Sequence, residues 1–476
     1  MDDTSHGPRP DDAPHPHPGR IVAVLATAGL GSSFVFTAII PIQTHLPALF
    51  ASTREQTAWA VTATLLVAAV LTPISGRLAD MVGKRRIALA LLGVLAAGSL
   101  IAAVAHDLWM LILGRALQGA ATGIIPVGIA ILRDTVPARR LDTSIALMSA
   151  TLGVGGAIGL PLSAIVNQLA GWRWTFAATA AFAVVVAVCI ATLVPPSAHR
   201  AGGRFDLLGA LGLAGITTSL LLLLSYGGVW GWQSPTTLLT IAATVVVLIA
   251  WVWHESRTAH PLLDLRLARR RAVLMTNLTS FAVGFSLFAS NIVYPQLLEL
   301  PPEAGGFGLS LIGASLVMMP PGAIMLVLAP VAGSLSVRFG PRVPLLVGAA
   351  FLTAAYGYGL AFSSEIWHIV VTNILIGVGV GFGYAAIPAL IMRAVPHHAS
   401  GASNGLNTLF RSLGTSVASA AIGAVLAVMS RPVGATTTPT PDAFRVAILM
   451  GLIASALALV LAAAIPRPAR GGDAPR

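Results

Sequence analysis

Cysteine and lysine are almost absent from this chain of 476 residues: Cys189 is the only thiol and Lys84 the only lysine. One cysteine excludes a disulfide framework and a cysteine-built metal centre, and its place in the apolar run FAVVVAVCIATLV marks it as a small core residue. Charge is scarce as well, since Asp, Glu, Lys and Arg supply 9% of the residues against about 25% in an ordinary soluble domain. With 56% hydrophobic residues, a mean hydropathy of +0.85 and no long polar stretch between residues 20 and 465, a water-soluble fold is excluded. A secretory leader is missing too: residues 1–20, rich in Pro, Asp and His, are expected to form a disordered cytoplasmic tail, with His15 and His17 as part of it rather than metal ligands. No metal site is expected. The net charge of +11 does not point to nucleic acid, because the arginines fall one to five at a time between apolar runs and never gather on one polar face.

What fills the chain is a series of apolar runs. A helix needs about 20 apolar residues to cross roughly 30 Å of hydrocarbon, and fourteen such runs are found: 21–40, 58–76, 87–105, 109–132, 143–166, 172–194, 206–226, 236–254, 273–298, 307–333, 343–362, 366–390, 401–429 and 443–465. Strands of a membrane barrel, about ten residues long and alternating in polarity, are excluded. The 48 glycines suit helices whose backbones approach closely. With a cytoplasmic N-terminus, about 22 of the 28 Lys and Arg fall inside, about three outside (Arg54, Arg173, Arg431) and three in or at the ends of spans (Arg115, Arg411, Arg445). The positive-inside rule then places both termini in the cytoplasm. The preponderance of arginine over lysine, with abundant alanine, suggests a GC-rich bacterial genome and so the bacterial inner membrane.

The halves repeat at a steady offset. Gly76-Arg-Leu-Ala-Asp80-Met-Val-Gly83-Lys84-Arg85 recurs as Gly333-Ser-Leu-Ser-Val-Arg-Phe-Gly340-Pro-Arg342, Arg115-Ala-Leu-Gln-Gly119 as Asn373-Ile-Leu-Ile-Gly377, and Arg133-Asp-Thr-Val-Pro137 as Arg393-Ala-Val-Pro396. Three matches in register predict a repeat-built membrane protein: an N-terminal six-helix bundle (21–200), two extra spans and a basic cytoplasmic loop (201–272), a C-terminal six-helix bundle (273–465) and a second cytoplasmic tail (466–476).

Ionisable groups at mid-membrane cost about 2.5 to 3.5 kcal/mol each, so each needs a partner or a job. Arg115 lies well inside the fourth span with Gln118 and Thr122 on its face. It reads either as a structural arginine bonding to carbonyls or as a group lining a water-filled cavity, and the cavity is the expectation. Arg411 in the thirteenth span shares a stripe with Asn404, Asn407 and Thr415. Asn277, Ser280, Gly284 and Asn291 on the ninth span and Asn373, Gly377, Gly381 and Tyr384 on the twelfth form weaker stripes that suit helix contact as well as substrate contact. No acid is central to a span. Two buried arginines without a carboxylate disfavour a cationic guest, and the nearest proton-titratable candidates are His45, His368, Glu299 and Asp134.

These residues resemble the major facilitator superfamily, in particular its fourteen-span drug:proton antiporters. Gly76 to Arg85 resembles the GxLaDrxGrk signature between spans two and three, with Met81 in place of Arg; Leu111, Arg115, Gln118 and Gly119 resemble the LxxxRxxQG signature of span four; Trp172-Arg-Trp-Thr-Phe176 resembles the WRWxF run opening span six; and Trp59 matches the tryptophan opening span two. The resemblance covers residues 21 to 465 and implies an all-α membrane protein of two six-helix bundles plus two central helices. It implies that Asp80, Gly83, Lys84 and Arg85, with Asp134 as charge partner, latch the bundles at the cytoplasmic side, with Gly333, Gly340 and Arg342 as the second copy. It links Arg115 to proton coupling. The span-five signature appears in altered form as Gly155, Gly159 and Pro161, an expected hinge, and the first span, Phe34 to Pro41, carries no acid where many relatives have one.

The expectation is a monomeric secondary transporter that needs no cofactor beyond a proton gradient. It exports lipophilic neutral or anionic compounds such as antibiotics, dyes or secondary metabolites around a cavity lined by Arg115, Gln118, Asn404, Asn407 and Arg411. Its rival is a facilitative or symport carrier of an organic anion. No paired acids, HExxH motif or nucleophile with its base occur within the spans, which disfavours an enzyme.

Overall fold

The computed structural model describes residues 18–43, 45–197, 202, 204–433 and 436–466. The expected tails, with His15 and His17, lie outside these residues, except that Pro18, Gly19 and Arg20 form the first helical turn instead of tail. Among the described residues, fourteen helices are long and apolar enough to cross a membrane. Spans one to six are Pro18–Gln43, Gln56–Val82, Lys84–Ala103, Leu108–Thr135, Ala138–Ala170 and Trp172–Leu193; spans seven and eight are Leu207–Leu224 and Pro235–Arg257. Spans nine to fourteen are Arg271–Glu299, Ile312–Phe339, Arg342–Ala361, Ile366–Ala394, His397–Val428 and Pro441–Ala464.

Local chemistry sets the helix ends. Thr53 and Gln56 close a reciprocal capping box ahead of span two, and Asp107, Asp206, Ser234 and Thr440 accept backbone N–H groups at the heads of spans four, seven, eight and fourteen. Span five starts at Ala138 and span twelve runs to Ala394, beyond their apolar runs, because the polar residues at those ends find partners across the bundle boundary. Span five continues unbroken through Gly155, Gly159 and Pro161. The interruptions fall instead in span one, between Pro18–Thr37 and Ile40–Gln43, in span four, where Ala121–Gly123 is a tight 3₁₀ turn, and in span ten, between Leu311–Val317 and Pro320–Phe339. An antiparallel hairpin, Ser430–Val433 with Thr436–Pro439, links spans thirteen and fourteen, an element that hydropathy alone does not announce.

The repeat in sequence is a repeat of architecture. Span one lies on five and six, two on four, and three on four and six; correspondingly nine lies on thirteen and fourteen, ten on twelve, and eleven on twelve and fourteen. Each bundle has its own core, around Leu92, Ile124, Met148 and Ile190 in one and Val283, Leu352, Tyr356 and Ile448 in the other. The bundles meet where span two crosses thirteen and span five crosses ten. Spans seven and eight form a separate hairpin in which seven touches two and thirteen, while Val246 and Ile249 of span eight remain exposed, as on a helix facing hydrocarbon.

Burial along this seam is lopsided. Span thirteen is buried at every position from Ser400 to Gly405 and again at Asn407 and Leu409, but further along only at Gly414, Ala418, Ile422 and Leu426. Span five is buried on most sides from Asp142 to Thr151, and past Val154 only at Gly155, Gly159 and Ser163. Those survivors face their own bundle: Gly155 and Gly159 abut Ser33 and Thr37 of span one, and Gly414 abuts Phe281 of span nine. The seam is therefore closed at the basic end, where Lys84 to Arg86 and Arg139 and Arg140 lie, remains in contact at mid-depth where Gly322 of span ten abuts Gly153 and Ala157 of span five, and loses burial beyond them.

Candidate functional site

The closed end is built on Gly76. A Cβ there would overlap the carbonyl of Gly401, so only glycine lets span two cross the head of span thirteen this closely. One turn on, Asp80 is 1% exposed, and its two oxygens accept the N–H groups of Gly401 and Ala402 at 3.0 Å each. These are donors that a helix N-terminus leaves unsatisfied, and the helix dipole favours a carboxylate there. Hydrogen bonds to a charged group contribute about 1.5 to 3 kcal/mol apiece.

The second copy reaches the same end by different chemistry. Gly333 abuts Thr143 at the head of span five as Gly76 abuts Gly401, but the position matching Asp80 is Val337. Charge comes instead from Asp142 on span five, which pairs with Arg393 of span twelve. Arg133, the repeat counterpart of Arg393, donates to the Val395 carbonyl at 2.9 Å, to the Pro396 carbonyl at 3.3 Å and to Ser400 Oγ at 2.6 Å. Asp142, Arg133 and Arg393 are absent from the motif-based site; the recurrence of Arg133 and Arg393 ahead of a Val-Pro or nearby proline was the available signal.

The remaining motif residues hold loops to their own bundles. Lys84, 1% exposed, pairs with Asp134 at 2.6 Å and donates to the Ala130 carbonyl at 3.2 Å. Arg85 donates to the Ala191 carbonyl, and its counterpart Arg342 to those of Ala462 and Ala463. Gly83 and Gly340 turn the chain with φ of +120° and +82°, a region that side chains other than glycine enter only under strain. The expected single latch thus divides: Asp80 crosses the seam, whereas Lys84, Arg85 and Asp134 do not, because their partners lie on spans three, four and six of their own bundle.

At mid-depth the expected polar stripe also divides. Arg115, 1% exposed, donates to the carbonyls of Val35 at 2.8 Å and Ala60 at 3.2 Å and to Gln118 Oε1 at 2.7 Å, and Gln118 passes the chain to Ser99 Oγ at 2.8 Å. It ties span four to spans one, two and three and lines no open space, which corrects the cavity expectation for Arg115 and Gln118: backbone carbonyls of neighbouring spans lie within reach and take its protons. Asn407 donates to Asn277 Oδ1 at 2.9 Å, and Asn404 to the Ser400 carbonyl at 3.1 Å; both, like Asn277, are buried between helices of the C-terminal bundle. Asn373 is buried too, donating to the Ile369 carbonyl at 3.0 Å, whereas Asn291 is exposed toward the far end of span nine. Arg411 differs from all of these. Half-buried, it lies with its guanidinium carbon 5.0 Å from the centre of the Tyr384 ring, and among the described residues it makes neither a side-chain hydrogen bond nor an ion pair.

Two pseudo-symmetric six-helix bundles, a seam closed at one end and a cation at its mid-depth define a repeat-built membrane transporter. The model of the Major Facilitator Superfamily matches residues 23–419 and 276–476, and the chain belongs to that superfamily. It is 30% identical over 438 residues to the multidrug resistance protein B homolog of Mycobacterium tuberculosis, covering 88% of this chain and 79% of that protein. It is 27% identical over 411 residues to the tetracenomycin C resistance and export protein of Streptomyces glaucescens, covering 85% and 74%. In fold it is similar to the human organic anion transporter MFSD10, with a TM-score of 0.65 at 15% identity over 95% of this chain and 100% of that one.

Proposed function

We propose that this transporter exports lipophilic neutral or anionic compounds, such as antibiotics, dyes or secondary metabolites, across the bacterial inner membrane in exchange for protons. It works as a monomer, by alternating access, with the proton gradient as its energy source. The observation that carries the charge preference is Arg411: a guanidinium at mid-depth that no carboxylate or carbonyl among the described residues engages accepts an anion or a hydrogen-bond acceptor and repels a cation. Relatives named for drug resistance and antibiotic export support efflux. The arginine bias supports a cytoplasmic basic end, so that the conformation described is outward-facing. Rocking inward then requires breaking the contacts of Asp80, Arg133 and Arg393 across the seam.

Inverted vesicles carrying an inward-acid pH gradient and a pH-sensitive dye test this directly. Anionic and neutral drugs are expected to release protons, cationic ones not, and Arg411→Ala is expected to lower anion-driven release by roughly tenfold or more, a loss of about 1.4 kcal/mol of binding. Labelled anions that move without proton release would replace antiport by facilitated transport of an organic anion, a reading favoured by the acid-free first span.

A further inference from the structure

The two extra spans have no counterpart in either bundle, and their foot at the basic end holds an acid with no part in the site described above. Glu255, in the last turn of span eight, is 3% exposed, and among the described residues no side chain donates to either carboxylate oxygen, the nearest donors being the backbone amides of Leu262 and Leu263. Opposite it, Asp206 heads span seven. A Cβ at Gly209 would lie 2.6 Å from Glu255 Oε1 and 2.5 Å from Asp206 Oδ2, so these two oxygens are at most about 5 Å apart.

The neighbours treat the two acids unequally. Asp206 accepts the Gly209 N–H at 2.8 Å and lies 2.9 Å from His254 Nε2; it has both a helix N-terminus and an imidazole partner. Glu255 has neither. The titratable groups facing it are Asp206 from span seven and His254 from its own span, and the strap after span eight presents only the backbone amides of Leu262 and Leu263. Trp251 closes the pocket, its Nε1 donating to the Gly209 carbonyl at 2.8 Å. One imidazole can pair with only one of the two carboxylates, and a second carboxylate enclosed at this range is accommodated by holding a proton.

We propose that Asp206, His254 and Glu255 form a proton-binding site at the foot of the extra hairpin, in which Glu255 carries the proton and Asp206 the charge paired with His254. The site bears on the seam. Leu262 and Leu263 of the strap, Leu213 of span seven and Trp251 share one apolar cluster with Ala69 of span two and Ala402 and Leu409 of span thirteen, and Ala402 is one of the two residues whose N–H groups Asp80 holds. Losing the proton leaves two carboxylates facing each other beside one imidazole in the buried foot and loosens strap and hairpin from the seam; regaining it restores the clamp. The effect on transport rests on the export reading, whereas the site itself does not.

Infrared difference spectra of the full chain in lipid nanodiscs, titrated from about pH 5 to pH 9 across the histidine range, test the site. A protonated-carboxyl band is expected at neutral pH, absent in Glu255→Gln and lost at lower pH in Asp206→Asn, where the like charge is gone and the helix cap is kept. Hydrogen exchange of residues 258–264, corrected for its intrinsic pH dependence, is expected to rise as the band disappears in the natural protein and to stay flat in Glu255→Gln. A protonated-carboxyl spectrum unchanged by Glu255→Gln, or the same exchange profile in both proteins, overturns the proposal. Should Glu255→Gln fail to fold, a titration unshifted in Asp206→Asn overturns it equally. Drug-driven proton release without the band sinks the site and spares export; the band without drug transport does the reverse.

Discussion

Two arginines at mid-depth look alike in sequence and differ in what surrounds them. Arg115 is consumed by acceptors, so Arg115→Ala takes a donor from the Val35 and Ala60 carbonyls and leaves Gln118 Oε1 without its partner in a dry interior. That change is expected to destabilise the protein by about 3 kcal/mol or more, seen as a thermal-unfolding midpoint lower by several degrees. Arg411→Ala orphans no partner, and its midpoint should stay within a degree or two while anion transport falls. Equal loss of stability in both variants would contradict the distinction. At the seam, Asp80→Asn removes the charge and turns an N–H donor toward one of two backbone donors. It is expected to shift the population toward the inward-open state by roughly tenfold or more, read as faster maleimide labelling of Ser403→Cys from the basic side in a Cys189→Ala background. Arg115 with Gln118 was legible because both lie on one helix face. Its acceptors were not, because they lie 55 and 80 residues away on other spans.

At the scale of the element, glycines decide which helices touch. Gly76 and Gly333 each sit where a Cβ would strike the helix of the other bundle, so Gly76→Ala and Gly333→Ala should each weaken the closed end and speed maleimide labelling as Asp80→Asn does. Gly357, with open space around it, provides the control: Gly357→Ala should change neither labelling nor transport. Unchanged labelling in both seam variants would show that close approach there does not hold the end shut. Spacing made the paired motifs visible in the sequence. It could not reveal that the second copy, lacking the acid at Val337, takes its carboxylate from Asp142 on a different helix, since that exchange is visible only where spans five, ten and twelve converge.

For the whole molecule the seam is the unit of function. A short bismaleimide joining Asp142→Cys to Arg393→Cys across the basic end, in a Cys189→Ala background, is expected to arrest transport while leaving drug binding from the far side intact; transport that continues at the uncrosslinked rate would refute rocking about this seam. Fourteen spans, their expected orientation, the repeat and the signature motifs followed from the sequence by itself, because hydropathy, charge bias and residue spacing are local properties of the chain. The tertiary structure alone decided which end of the seam is shut, that Arg115 is bonded within a bundle while Arg411 remains unengaged, and that Asp206 and Glu255 share one pocket. Each of these depends on contacts between helices distant in sequence, where the partner of a polar group is set by how the bundles meet and not by its neighbours along the chain.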